Sequence, residues 1–183
     1  MAFVIKLSRQ GNRFADQWIK RKLAEIGTNF TEQMEVANMY ASNPDPNVRD
    51  KEKALHYAML AYSQTTNIQA TTSQGGQAKS PSDNIQNEMK KHQIKELRSY
   101  AIESLAAAHA INGDFTNAIK TEEMAITIFM SDNAAKGSPA SMAETLAAPM
   151  KQRIELYKKG LPYIDESNNI GKNLWEMSGL PKL

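Results

Sequence analysis

The stretch that most constrains the fold is the junction Gly113-Asp114-Phe115, where two runs with helical apolar periodicity meet. Ala106 precedes Gly113 by seven residues, while Ala118 and Ala125 follow it by five and twelve. On two antiparallel helices this spacing places all three alanines in the seam. Phe115 would close the top of the hairpin, and Gly113 can adopt the positive φ that ends the first helix. The sequence therefore predicts a helical hairpin.

The seven-residue alanine spacing recurs at Ala54 and Ala61, in a helix predicted over residues 48–64. A helix over 30–41 precedes it, and two prolines within residues 43–47 separate the two helices. We therefore predict a first helix pair at 28–64.

Residues 65–84 contain Gly75-Gly76 and Ser80-Pro81 but only one large apolar side chain, and they are predicted to be a flexible surface insertion. The second pair is predicted at 85–131, with a helix over 85–112 and its partner over 116–130. A polar loop is expected at 131–138.

The remaining segments flank the two pairs. Residues 1–27 are predicted to contribute an N-terminal helix that packs on the array and ends at Gly27. Residues 132–163 form a capping helix that ends at Gly160, and residues 164–183 are a tail with one last turn at 174–177. The apolar stripe of the capping helix is Leu146, Met150, Ile154 and Tyr157.

The spacing of the second hairpin resembles the tetratricopeptide (TPR) repeat, a helix–turn–helix unit of about 34 residues. Two positions depart from that pattern: Glu122 replaces a large apolar residue and Met130 replaces a proline. Three segments together resemble a group of bacterial TPR proteins with an N-P-D-P-x-x-R-D loop and a terminal R-x-E-L-Y-x-x-G-x-P-Y helix. These segments are NPDPNVRDKEKALHYAMLAY, LAAAHAINGDFTNAIKTEEMAI and RIELYKKGLPY.

The resemblance implies an all-α fold, a short solenoid of antiparallel helix pairs in which the first helix of each pair lines a concave groove. The positions that it assigns to a protein-binding groove are Met34, Asn38, Tyr100, Glu103, Ala107, Ala110 and Ile111. The alternative is that the apolar positions among them are core between repeats. Glu103 would repel a peptide's terminal carboxylate, which argues against a chaperone-tail adaptor.

The sequence offers no enzyme chemistry. The absence of cysteine excludes disulfides, thiol nucleophiles and Cys-ligated metals. The three histidines stand apart, and His109 is best explained as a helix-seam residue. Asn43-x-Asp45-x-Asn47 resembles the start of a calcium loop, but Ala54 stands at the twelfth position, where a bidentate glutamate is required. We therefore expect a structural turn there, with no catalytic residue, metal or cofactor.

One helix face carries a possible basic patch of Lys90, Lys91, Lys95 and Arg98. The chain's net charge is only +2, and aromatic residues are not interleaved with the patch. A solvated helix face is favoured over a nucleic-acid interface.

No run of about 20 apolar residues occurs, so we predict no membrane span. A cytoplasmic location is expected, although a removed leader or a truncated chain would give the same pattern.

These patterns predict a non-catalytic scaffold or assembly subunit that binds another protein or complex, or a second copy of itself. From resemblance alone, the assembly could be a multisubunit redox enzyme, as in filament-forming nitrite oxidoreductase complexes. Two alternatives remain open: a monomeric adaptor that binds a peptide in the groove, and a nucleic-acid accessory protein that uses the Lys90–Arg98 face.

Overall fold

The chain is all-helical in the computed structural model, which describes residues 2–27, 29–73 and 81–166. Within these ranges there are seven α-helices and no strand. The helices are α1 Ala2–Arg9, α2 Arg13–Ile26, α3 Phe30–Ser42, α4 Lys51–Ser73, α5 Pro81–Ile111, α6 Phe115–Ala135 and α7 Ala140–Lys158. Every helix in the described part of the chain is too short or too polar to cross a bilayer.

Local sequence signals fix several helix ends. The Oδ1 of Asn29 accepts a hydrogen bond of 3.2 Å from the backbone N–H of Glu32 and so caps the N-terminus of α3. Asp114 caps α6 in the same way, through a 3.2 Å bond from the N–H of Asn117. Gly113 has φ +81°, which confirms the predicted left-handed end of α5.

The helices pack as the pairs α1–α2, α3–α4, α4–α5, α5–α6 and α6–α7, and α3 additionally packs on α5. The most extensive contact is between α5 and α6, the predicted hairpin. Alanines form its seam, because small side chains let the two helices approach closely. Those fully buried in the two helix pairs include Ala54, Ala58, Ala61, Ala106, Ala118 and Ala125.

The prediction of a flexible surface insertion at residues 65–84 is partly wrong. Helix α4 begins at Lys51 instead of Val48 and continues through residues 65–73, while residues 81–84 form the first turn of α5. Residues 65–73 contain neither glycine nor proline, so nothing local ends the helix before Gly75-Gly76. Pro81 stands at the first position of α5, where proline is well tolerated. Residues 74–80 lie outside the described residues.

One further helix and one further boundary also differ from the prediction. Helix α1 was not anticipated, and it packs on α2 through an apolar face that includes the buried Ile5. Helix α6 continues to Ala135, so the predicted loop at 131–138 is mostly helical. The final turn predicted at 174–177 lies outside the described part of the chain.

The buried face of α7 is shifted relative to the predicted stripe. Met150, Ile154 and Tyr157 are buried as expected, but Leu146 is 51% exposed. Ala143 and Ala147 are buried instead. Large residues mark an apolar stripe more visibly than alanine does, although alanine suits a close helix contact better.

Beyond α7 the chain runs back across the molecule towards α3. The N–H of Asp165 donates a 2.8 Å hydrogen bond to the carbonyl oxygen of Ser42, at the C-terminal end of α3. Tyr163 packs at the edge of a cluster formed by Ala106, Ala110 and Tyr157. This return segment closes one side of the space between α3 and α5.

Candidate functional site

A groove of about 980 Å³ lies between α3 and α5. The C-terminal end of α2 and the outward face of α3 form one wall, and α5 forms the other. Arg153 of α7 reaches the groove from below, and Tyr163 and Asp165 of the return segment complete its lining. The groove therefore combines side chains from five parts of the fold.

Five of the seven groove positions predicted from sequence line this one space: Met34, Asn38, Tyr100, Glu103 and Ala107. The other two do not. Ala110 is buried in the cluster beside Ala118 and Tyr157, and Ile111 packs half-buried against the core around α3 and α4. Ala110 and Ile111 are therefore core residues, as the alternative interpretation of the apolar positions stated.

One face of helix α3 packs in the hydrophobic core, so the opposite face is left to line the groove. Ala37, Tyr40 and Ala41 are buried, whereas Met34 is half-buried and Asn38 is exposed on the groove side. The wall is also anchored at its start: Gln33 Nε2 donates a 2.6 Å hydrogen bond to the carbonyl oxygen of Gly27. Gln33 Oε1 in turn accepts a 2.8 Å bond from Gln64 Nε2 of α4.

The floor of the groove contains a buried cluster of charged side chains, Glu103, Glu122 and Arg153. The Nε and Nη2 atoms of Arg153 each lie 2.7 Å from Glu122 Oε1. Nη2 also donates a hydrogen bond to Glu103 Oε2. The Glu122 side chain is fully buried, and that of Arg153 is only 14% exposed. One guanidinium thus joins α5, α6 and α7 by charge-assisted hydrogen bonds.

The electrostatics of this charged cluster favour protonation of its carboxylates. Burial raises the pKa of Glu122 to about 7; Arg153 opposes this rise and Glu103 adds to it. Burial likewise raises the pKa of Glu103, again against the effect of Arg153. Burial disfavours the charged form of Arg153, but Glu122 and Glu103 outweigh it and hold the pKa above its usual value. Two carboxylates therefore share one buried positive charge.

Two polar atoms buried at this cluster, Glu122 Oε2 and the Tyr157 hydroxyl, have no hydrogen-bond partner among the residues that the structure describes. Burial raises the pKa of Tyr157, and the nearby Glu122 carboxylate raises it further. The phenol therefore stays neutral. An unpartnered carboxylate oxygen in this setting is costly, which agrees with the raised pKa of Glu122.

Sequence reasoning missed the roles of Glu122, Arg153 and Tyr163. Glu122 carried a signal, because it replaces the large apolar residue that the TPR pattern leads one to expect. Arg153 belongs to the segment RIELYKKGLPY. The resemblance of this segment to other proteins did not indicate which side chains Arg153 would contact. The guanidinium also lies 5.6 Å from the centre of the Tyr163 ring, which is within cation–π range.

Among the other predicted features, Lys95, Arg98 and His109 do not line the groove, whereas Asn43 of the Asn43–Asn47 loop does. Of the possible basic patch, Lys95 is exposed and Arg98 is half-buried, and the side chains of Lys90 and Lys91 are not among those described. His109 is half-buried, with Nδ1 3.6 Å from Asp114 Oδ2.

The Asn43–Asn47 loop uses its polar side chains internally. Asn43 Oδ1 accepts a hydrogen bond from the N–H of Asp45, and Asp45 Oδ1 accepts one from the N–H of Asn47. The described residues contain no group of three side chains suited to hold a metal ion.

Comparisons of the chain with protein-family models, with curated proteins and with solved structures found no match. The geometry defines an all-helical protein in which a groove of mixed polar and apolar lining lies over a buried charged cluster.

Proposed function

We propose that the chain is a non-catalytic protein-interaction scaffold that holds a segment of another protein in the groove between α3 and α5. The main observation in support of this proposal is that five of the groove residues predicted from TPR-like spacing line a single space of about 980 Å³. The packing of α3 beside α5 supports this proposal, because a solenoid of helix pairs lines its groove with the first helix of each pair.

The lining suits a protein segment better than a small metabolite. It mixes exposed polar side chains with Tyr100, which is 51% exposed, and with the thioethers of Met34 and Met39. Exposed aromatic and methionine side chains are favoured in protein interfaces, since they adapt to apolar partners at low cost. A multisubunit redox enzyme is the kind of assembly that the TPR resemblance suggests.

A second candidate occupant is another copy of this chain. Met142 and Leu146, one helical turn apart on α7, are 56% and 51% exposed, and Phe14 on α2 is 85% exposed. Apolar side chains left uncovered on the outside of a helical array are surfaces by which copies can stack.

Site-specific photo-crosslinking in cells that make the protein natively tests both candidates. A photoreactive residue at Asn38 lies in the groove, and the same residue at the exposed Lys120 of α6 is the matched control. We expect position 38, and not position 120, to give one adduct of defined mass. An adduct of twice the chain's mass would identify a second copy. The same products from both positions, or none from position 38, would contradict the proposal.

A further inference from the structure

We propose that the groove selects a partner segment rich in lysine or arginine. This inference rests on the proposed function, and it names the chemistry of the occupant. It follows from the distribution of charge in the groove and from the side chains beside those charges.

The groove is acidic although the chain is not. The whole chain carries a net charge of +2. The groove lining holds five acidic side chains against two basic ones, Lys22 and Arg153. Arg153 is already shared by two carboxylates, and the ammonium of Lys22 lies 2.6 Å from Glu25. Neither cation offsets the charges of Glu32 and Glu35, so the groove attracts a cationic segment.

The surplus charge lies mainly on α3. Glu32 and Glu35 are three residues apart on its exposed face, so they lie on the same side of the helix. Both line the groove, and neither forms a salt bridge within the described part of the chain. Two cationic side chains spaced by one helical turn on a partner would match this pair.

Apolar side chains on both walls of the groove suit the hydrocarbon stems of the same cationic side chains. Tyr100 and Ala107 line the groove from α5, and Met34 and Met39 line it from α3. Lysine and arginine cover apolar surface with their methylene groups while their charged ends reach polar groups. The half-exposed ring of Tyr100 can in addition accept a cation over its face.

The test uses a fluorescein-labelled peptide of twelve residues, built from alanine and leucine with lysine at every fourth position. Two matched peptides carry glutamine or glutamate in place of lysine. Fluorescence anisotropy at low ionic strength measures the binding of each to the full chain. We expect the lysine peptide to bind most tightly and its affinity to fall as salt is added.

Two double variants distinguish the groove from the surface in general. E32Q/E35Q removes two groove charges, and E52Q/E123Q removes two exposed charges that do not line the groove. Glutamine at position 32 keeps the capping pattern of α3. We expect the groove variant to weaken binding of the lysine peptide about fivefold, which corresponds to about 0.5 kcal/mol for each lost charge. We expect the control variant to change the binding less than about twofold.

Two kinds of result would overturn this inference. One is equal binding of the three peptides, or equal loss in the two variants. The other is no binding of the lysine peptide up to about 1 mM. In either case a defined crosslink from Asn38 would still support the groove as a protein-binding site, so the two proposals fail separately.

Discussion

Helices α5, α6 and α7 pack together through two contrasting kinds of contact. Small and aromatic side chains form one contact, in which Ala106 and Ala118 surround the buried Tyr157. The other contact is the charged cluster of Glu103, Glu122 and Arg153. The two contacts are adjacent along every helix, because Glu122 follows Ala118 by four residues and Arg153 precedes Tyr157 by four.

The charged cluster also lies between two apolar layers. On its other side are Ile102, Ala125 and Met150, which form a separate buried cluster. An apolar layer tolerates small shifts of one helix along another, but a charged layer does not, since a shift would leave a buried charge unpaired. From this difference between the apolar and charged layers we infer two roles. The alanine seam brings the helices together, and the charged cluster opposes displacement of α7 beneath the groove.

The largest expected effect comes from breaking the charged cluster at its centre. Replacement of Arg153 by methionine keeps much of the side-chain volume but leaves Glu122 and Glu103 without their shared cation. Removing one partner from a buried ion pair costs about 3–5 kcal/mol, and we expect a loss of that order in urea unfolding.

The matched control for R153M is K151M, because Lys151 is on the same helix but exposed. We expect K151M to change the unfolding free energy by less than about 1 kcal/mol. The triple variant E103M/E122L/R153M should recover most of the loss, since apolar residues often replace a buried ion cluster without cost. Equal stability of R153M and K151M would show that the cluster does not hold α7 in place.

A smaller effect is expected from pH, through Glu122. Its pKa is raised from 4.5 to about 7, so the folded chain binds a proton here more readily than the unfolded chain. The stability that this protonation contributes is present at acid pH and is lost as pH rises through about 4.5 to 7. Carboxyls with lowered pKa values, such as Asp45, act in the opposite direction.

Comparison with E122Q isolates the contribution of Glu122, because the other carboxyls are shared by both proteins. We expect the stability of the natural chain relative to E122Q to fall by about 1–2 kcal/mol between pH 5.5 and pH 8. Urea unfolding at both pH values measures this difference. A difference that stays constant over this range would mean that Glu122 titrates at its ordinary pKa.

The sequence predicted those features of the fold that depend on residues close together in the chain. The cap at Asn29, the turn at Gly113 and the buried alanines of the α5–α6 seam all follow from residue type and spacing. The extent of α4 was not predicted, because the low apolar content of residues 65–73 suggested a loop although no residue there ends a helix.

The charged cluster could not be predicted because it joins residues far apart in sequence. Glu122 and Arg153 are 31 residues apart, and Glu103 and Arg153 are 50 apart. Periodicity reports which face of a helix is apolar, and it carries no information about which charge on one helix meets which charge on another. Glu122 was visible only as a departure from an expected apolar residue.

The groove between α3 and α5 is the central claim, and methionine methyl NMR tests it most directly. Met34 and Met39 line the groove, whereas Met59 and Met142 are exposed elsewhere. When the protein captured from position 38 is added to the labelled chain, we predict that the Met34 and Met39 signals shift and that those of Met59 and Met142 do not. Shifts at Met59 or Met142 without any change at Met34 and Met39 would contradict the account.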